Sequence, residues 1–118
     1  MRIERAVTTA HKGWYAAGGR NPALSFVIGY ASQGVNEPHV HSQITEVYLV
    51  ARGTAEVRVE KTTIALVAGD MLELAPGEAH TFLSSSSDYF HFVIHSPVLA
   101  HEAAEAEKAA VAPARLGL

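Results

Sequence analysis

Seven histidines and no cysteine stand in this chain, and the histidines are unevenly placed. His39 and His41 lie two residues apart, Glu46 follows five residues later, and His80 comes from a separate stretch just after Pro76-Gly77. On a strand, side chains at i and i+2 share a face, so His39 and His41 can reach one ion together. The offset to Glu46 is odd, and one unbroken strand would turn Glu46 to the opposite face. A turn or bulge in residues 42–45 must therefore reset the register, or Glu46 opens a new strand. Tyr48 and Val50 then share the face of Glu46. Three neutral imidazoles and one carboxylate suit one divalent transition metal (Fe, Mn, Ni, Co or Zn), and no soft ligand is present to select Cu(I). Four protein ligands on a six-coordinate ion leave two positions for water, substrate or dioxygen. A four-coordinate zinc would instead be closed and structural.

Residues so far apart in sequence need a scaffold to converge them, and the composition supports one. A chain of 118 residues, 48% of them hydrophobic, is of the size that builds a single core. Charged residues make up 18% and the net charge is -3. Lys and Arg clusters of the kind that grip phosphates are missing, so no nucleic-acid partner is expected. The lack of cysteine removes disulfides, thiolate metal sites and cysteine nucleophiles together. No apolar stretch follows Met1-Arg2-Ile3-Glu4-Arg5, and no run approaches the ~18 apolar residues of a membrane helix. The expectation is a soluble cytoplasmic protein without membrane contact.

Between residues 25 and 95 the chain reads as short apolar or alternating runs broken by turn residues. Strands are predicted over 25–30, 46–50, 54–60, 63–67, 71–74, 80–83 and 89–95. The cleanest is 54–60, where Ala55, Val57 and Val59 alternate with Glu56, Arg58 and Glu60. Gly53, Gly69-Asp70 and Pro76-Gly77 mark the turns, and the serine run 84–87 reads as a polar connection. Short strands at this spacing point to an antiparallel sandwich or barrel. Residues 1–24, with two adjacent glycines and Asn21-Pro22, read as an irregular segment or as one that opens with an edge strand over 3–8. Residues 25–97 form the barrel. Residues 98–118 carry a short helix over 98–111, with Ser96 as N-cap and Pro97 at its first position, followed by a tail.

The spacing of these residues resembles the cupin superfamily. Its first motif is a glycine, five residues, His-x-His, three or four residues, Glu, six residues and Gly. This chain has Gly34, four residues, His39-x-His41, four residues, Glu46, six residues and Gly53. The second motif places Gly, Pro, Gly, His and Asn at fixed offsets; here Gly69, Gly77 and His80 match, Ala75 replaces the proline and Ser84 the asparagine. Gly34 lies one residue closer to His39 than the pattern asks. The resemblance spans residues 25–97 and implies an all-β fold, an antiparallel double-stranded β-helix or jelly-roll barrel. It implies His39, His41, Glu46 and His80 as metal ligands. It also implies a small-molecule substrate or ligand inside the barrel, and a homodimer, which the irregular N-terminus and apolar outer strand faces would suit.

For function, the resemblance implies a metal-dependent enzyme, dioxygenase-like first and isomerase or lyase second. The alternative is a non-catalytic ligand-binding or sensing module. Tyr48, on the face of Glu46, is one candidate catalytic residue; an interior aromatic with a satisfied hydroxyl is the competing reading. His91 is the other. Residues 89–95 put Tyr89, His91, Val93 and His95 on one face and Phe90, Phe92 and Ile94 on the other. If the first set lines the cavity, His91 can serve as acid–base or supporting residue. Burial of two phenylalanines and an isoleucine favours the second set inward and the histidines outward. Phe82 is expected inside by alternation from His80. His11 and His101 are expected at the surface.

Overall fold

The computed structural model describes residues 1–15 and 24–118. The described residues form ten strands in two five-stranded sheets, with one short helix. In chain order the strands are β1 (Lys12–Trp14), β2 (Val27–Ala31), β3 (His39–His41), β4 (Thr45–Arg52), β5 (Thr54–Val59), β6 (Thr62–Val67), β7 (Met71–Leu74), β8 (His80–Ser85), β9 (Phe90–Ser96) and β10 (Lys108–Ala110). Helix α1 spans His101–Glu107, and a 3-10 turn covers Pro113–Leu116. The first sheet runs β1-β2-β9-β4-β7 and the second β10-β3-β8-β5-β6. All their pairings are antiparallel. Antiparallel sheets packed face to face bury the inward half of the central strands, as the alternation in the sequence requires. The expected all-β jelly roll with a short helix is what forms.

The registers fix which side chains meet inside. Glu46, Tyr48 and Val50 of β4 stand opposite His95, Val93 and His91 of β9. In the facing sheet, Val59 and Val57 of β5 stand opposite His80 and Phe82 of β8. A register shift between Glu56 and Val57 keeps Ala55 facing Ser85 and the core side continuous. Tyr48, Val50, Ala55, Val57, Val59, Leu66, Leu74, Phe82, Tyr89 and Val93 make one buried cluster. It fills one part of the barrel interior, and the histidines and Glu46 lie beside it. Phe82 lies inside as expected, and a Cβ on Gly34 would come within 1.9 Å of its ring. Gly34 is required there because the chain before β3 lies flat on that ring.

Several expectations need correction. The edge strand expected over 3–8 does not form; the N-terminal strand is β1, and the Val7 amide instead donates to the Tyr30 hydroxyl at 2.7 Å. The two adjacent glycines and Asn21-Pro22 lie outside the described residues. The helix is shorter than 98–111: its N-cap is Ala100, with no side-chain cap, so Ser96 and Pro97 do not start it. It ends at Glu107, where the backbone turns extended and residues 108–110 pair with β3. Alanine-rich composition favoured helix, and the open edge of β3 overrode it.

The face of β9 is also reversed. Tyr89, His91 and Val93 are buried inside, and Phe90, Phe92 and Ile94 lie half-buried on the outer side. Their burial comes from outside the barrel, since Tyr30 stacks on Phe90 at 6.4 Å and Arg52 lies over the same ring at 5.3 Å. Among the described residues, no helix is long and apolar enough to cross a membrane.

Candidate metal centre

His39 and His41 project from β3 to the same side and both are buried. The turn over residues 42–44 lets the chain leave β3 and start β4 at Thr45, which brings Glu46 round to face them. This is the register reset that the odd spacing demands. His80 opens β8 as the Cα partner of His39. One ligand atom from each of His39, His41, Glu46 and His80 lies within 4.8 Å of the others, and all four residues are buried. Two nitrogens on one zinc-sized ion are at most about 4.2 Å apart, so closing this group on an ion takes movements below one ångström.

The three imidazoles share one orientation. His39 Nδ1 is 2.7 Å from the Glu37 carbonyl, His80 Nδ1 is 3.0 Å from the Glu78 carbonyl, and His41 Nδ1 is 2.5 Å from Glu107 Oε2. Each partner is an acceptor, so each Nδ1 carries the proton and donates it. Each Nε2 is then a lone pair directed inward, the state in which imidazole binds metal. His41 Nε2 lies 3.5 Å from Glu46 Oε2 and is buried without a hydrogen-bond partner. Converging lone pairs beside a carboxylate repel one another unless a cation sits among them. The donor set therefore fits a divalent transition ion, and a proton is the smaller substitute.

Glu46 is held on both oxygens. Oε1 accepts from the Tyr48 hydroxyl at 2.8 Å and is 2.8 Å from His80 Nε2; Oε2 is bonded by His95 Nε2. Burial alone would raise the Glu46 pKa, but the imidazoles of His41, His80 and His95 around it carry it well below the usual carboxylate range. Burial pushes the Tyr48 phenol well up, and the Glu46 charge pushes it further, so it stays a donor. Burial lowers His39 to about 4 and His91 to about 4, so both are neutral near pH 7. Burial would lower His41 as well, but the Glu46 and Glu107 carboxylates beside it outweigh that and raise its pKa.

His39, His41, Glu46, Tyr48, His91 and His95 lie on the wall of a cavity of about 630 Å³. Its walls are largely apolar, with Val27, Val35, Ile44, Val93 and Leu99 among them. Trp14 packs against His95 with ring centroids 4.8 Å apart. Exposed Lys12 and Lys108 also line it.

The Cupin domain model matches residues 26–95, more than half of the chain. The chain belongs to the cupin family. No curated protein sequence matches this cupin. Among solved structures, KdgF from Halomonas sp. is similar with TM-score 0.63 at 18% identity, over 77% of this chain and 81% of its own. A cupin protein from Bacteroides fragilis gives TM-score 0.58 at 22% identity, covering 83% of this chain and 87% of that one. Streptomyces Pac13, described as a nucleoside dehydratase, gives 0.60 at 14% identity, covering 92% of each chain. At these identities the likeness is one of fold.

Of the residues singled out in the sequence, the structure brings His39, His41, Glu46, His80 and Tyr48 together. His91 lines the same cavity, its Nδ1 2.7 Å from the Tyr89 hydroxyl and its ring 4.8 Å from that of Tyr48. It packs on Tyr48 and bonds Tyr89, with no hydrogen bond to Glu46. His11 and His101 are exposed, as expected. Sequence reasoning missed His95 and Glu107. His95 could have been found from β9 itself: a barrel whose interior holds three histidines and a glutamate has a polar inner face, and the strand's histidines match it. For Glu107 no local signal exists, since it belongs to an alanine-rich helix 66 positions from His41.

Proposed function

We propose that this cupin is a metal-dependent enzyme acting on a small organic molecule, by proton transfer of the isomerase or lyase kind. The observation that carries it is the convergence of three imidazoles and Glu46 beside a largely apolar cavity, with His39, His41 and Glu46 on its wall. His39, His41, Glu46 and His80 would hold the ion. When bound, a divalent ion supplies Lewis-acid polarisation of a substrate oxygen and a template for its orientation. The apolar walls exclude water around the substrate, and Lys12 and Lys108 favour one that carries an anionic group.

Two groups beside Glu46 handle protons. His95 Nε2 is hydrogen-bonded to Glu46 Oε2, which places an imidazole at the cavity wall. The Tyr48 hydroxyl stays protonated and fixes Glu46 Oε1. Oxygenation, the reaction the family resemblance puts first, needs no such proton-carrying pair and ranks second here.

The test is a panel of small hydroxy and keto acids, sugars and aromatic acids, incubated in D2O with protein loaded with Mn2+, Fe2+, Co2+, Ni2+ or Zn2+. Proton NMR reads deuterium incorporation or product, and an oxygen electrode runs in parallel. Substrate turnover without oxygen uptake supports the proposal. Oxygen consumption moves the reading to a dioxygenase, and stoichiometric binding without turnover moves it to a ligand-binding module.

We further propose that the chain works as a homodimer through the outer face of the first sheet. Val47 and Leu49 of β4, Met71 of β7 and Phe92 and Ile94 of β9 lie side by side there, with Leu49 38% and Met71 59% exposed. A contiguous apolar patch of this kind on a sheet is a protein-contact surface.

A further inference from the structure

We propose that Glu107 is the positioning residue of this centre, and that through it residues 100–118 are coupled to metal binding. The inference rests on reading the four-residue group as a metal site. Glu107 is 2% exposed. A carboxylate so deeply buried must be matched by donors, or its desolvation is uncompensated. Glu107 has three. Its Oε2 takes His41 Nδ1–H at 2.5 Å, and its Oε1 takes the Ile44 amide at 3.0 Å and the Gln43 amide at 3.3 Å.

The two oxygens do two different jobs. Oε2 keeps the His41 proton on Nδ1 and so leaves Nε2 as the inward lone pair. Oε1 ties down the amides of the turn between β3 and β4, the turn that brings Glu46 onto the face of His39 and His41. One carboxylate thus sets the tautomer of one ligand and the path of the chain to another.

The rest of the segment holds Glu107 in place. The Glu107 carbonyl accepts from the Ser42 amide at 2.9 Å, and β10 pairs with β3 at all three of its positions. On its other side β3 pairs with β8 only at His39–His80. The ligand-bearing strand therefore depends on β10 for most of its partners. Farther on, Arg115 makes two bonds of 3.0 Å to the Glu60 carboxylate and one of 2.9 Å to the Gly77 carbonyl. The Gly77 amide in turn donates to the His41 carbonyl at 2.7 Å. Residues 100–118 form a clasp closed on the strand that carries His39 and His41.

Glu107→Gln separates positioning from mere packing. The amide has the same shape and can keep its oxygen on the Gln43 and Ile44 N–H groups. Its NH2 then faces His41 Nδ1 and demands a lone pair there, which moves the ring proton to Nε2. The expected result is a 10- to 100-fold loss of Zn2+ affinity, read by competition with a chromophoric chelator. In metal-free protein at pH 9, nitrogen-15 NMR should show His41 protonated at Nδ1 in the wild type and at Nε2 in the variant. Glu107→Ala should lose both the affinity and the order of the 42–44 turn. If Glu107→Gln binds Zn2+ like the wild type and His41 keeps its tautomer, the proposal is overturned, whatever happens to the melting temperature. Failure of the wild type to take up Zn2+ would overturn the metal reading and the coupling with it. The tautomer result distinguishes that case, because it reports the hold of Glu107 on His41 without any metal.

Discussion

His95 stands directly across the β4–β9 ladder from Glu46, and its Nε2 bonds the outer oxygen of that carboxylate. The other oxygen takes the Tyr48 hydroxyl from two residues along β4. A carboxylate pinned at both oxygens cannot swing away from the centre, which lowers the ordering cost of binding an ion there.

Removing either support should loosen Glu46 to a similar extent. Tyr48→Phe keeps the ring in the core and deletes only the hydroxyl, so the fold should hold while Zn2+ affinity drops about tenfold. His95→Ala should lower affinity similarly and abolish turnover, because the imidazole at the cavity wall is lost as well. Chelator competition and a turnover assay on the same samples check both. Equal turnover in His95→Ala and wild type would remove His95 from the mechanism.

Acid should destabilise the metal-free protein, and His91 gives the sign. Its folded pKa is near 4 because burial disfavours the imidazolium, against about 6.5 in the unfolded chain. Between those values the unfolded state binds the extra proton, so stability present above pH 6.5 is lost as pH falls toward 4. His39, also near 4, and Glu46, held low, act in the same direction. The raised pKa of His41 acts oppositely, adding stability below its unfolded value that is lost as pH rises through the folded one. Chemical denaturation from pH 7 to pH 4 should show a decline whose slope shrinks by up to about 1.4 kcal/mol per pH unit in His91→Gln. An unchanged slope would mean His91 is protonated in the folded state.

Leu49→Asp and Phe92→Asp place a charge on the outer face of the first sheet, far from the centre. Light scattering should give a dimer for the wild type and a monomer for either variant, with Zn2+ affinity unchanged. A monomeric wild type at micromolar concentration contradicts the proposed interface.

Much of this architecture was legible in the chain. Period-two alternation at Ala55, Val57 and Val59 fixes the inner face of β5 because one side of an antiparallel strand is wet. His39, His41, Glu46 and His80 announced themselves by type and spacing, and the odd offset to Glu46 foretold a reset in the 42–45 segment. What was not legible depends on partners distant in sequence. The inner face of β9 followed from a polar interior and from Tyr30 and Arg52 covering Phe90 outside, so apolar residues pointed away from the cavity. The extended run at 108–110 forms because β3 offers an open edge, a tertiary cause that alanine-rich composition hides. Glu107 could be understood only once His41 was seen beside it.

The central claim is that His39, His41, Glu46 and His80 bind one divalent ion. Its most direct test is elemental analysis and X-ray absorption of protein purified without metal-affinity resin, then reloaded with each of Mn2+, Fe2+, Co2+, Ni2+ and Zn2+. The account predicts about one ion per chain, a coordination shell of nitrogen and oxygen with the imidazole signature, and loss of that ion in His80→Ala. Protein that takes up none of the five ions, or whose ion content and spectrum are the same in His80→Ala, would contradict it.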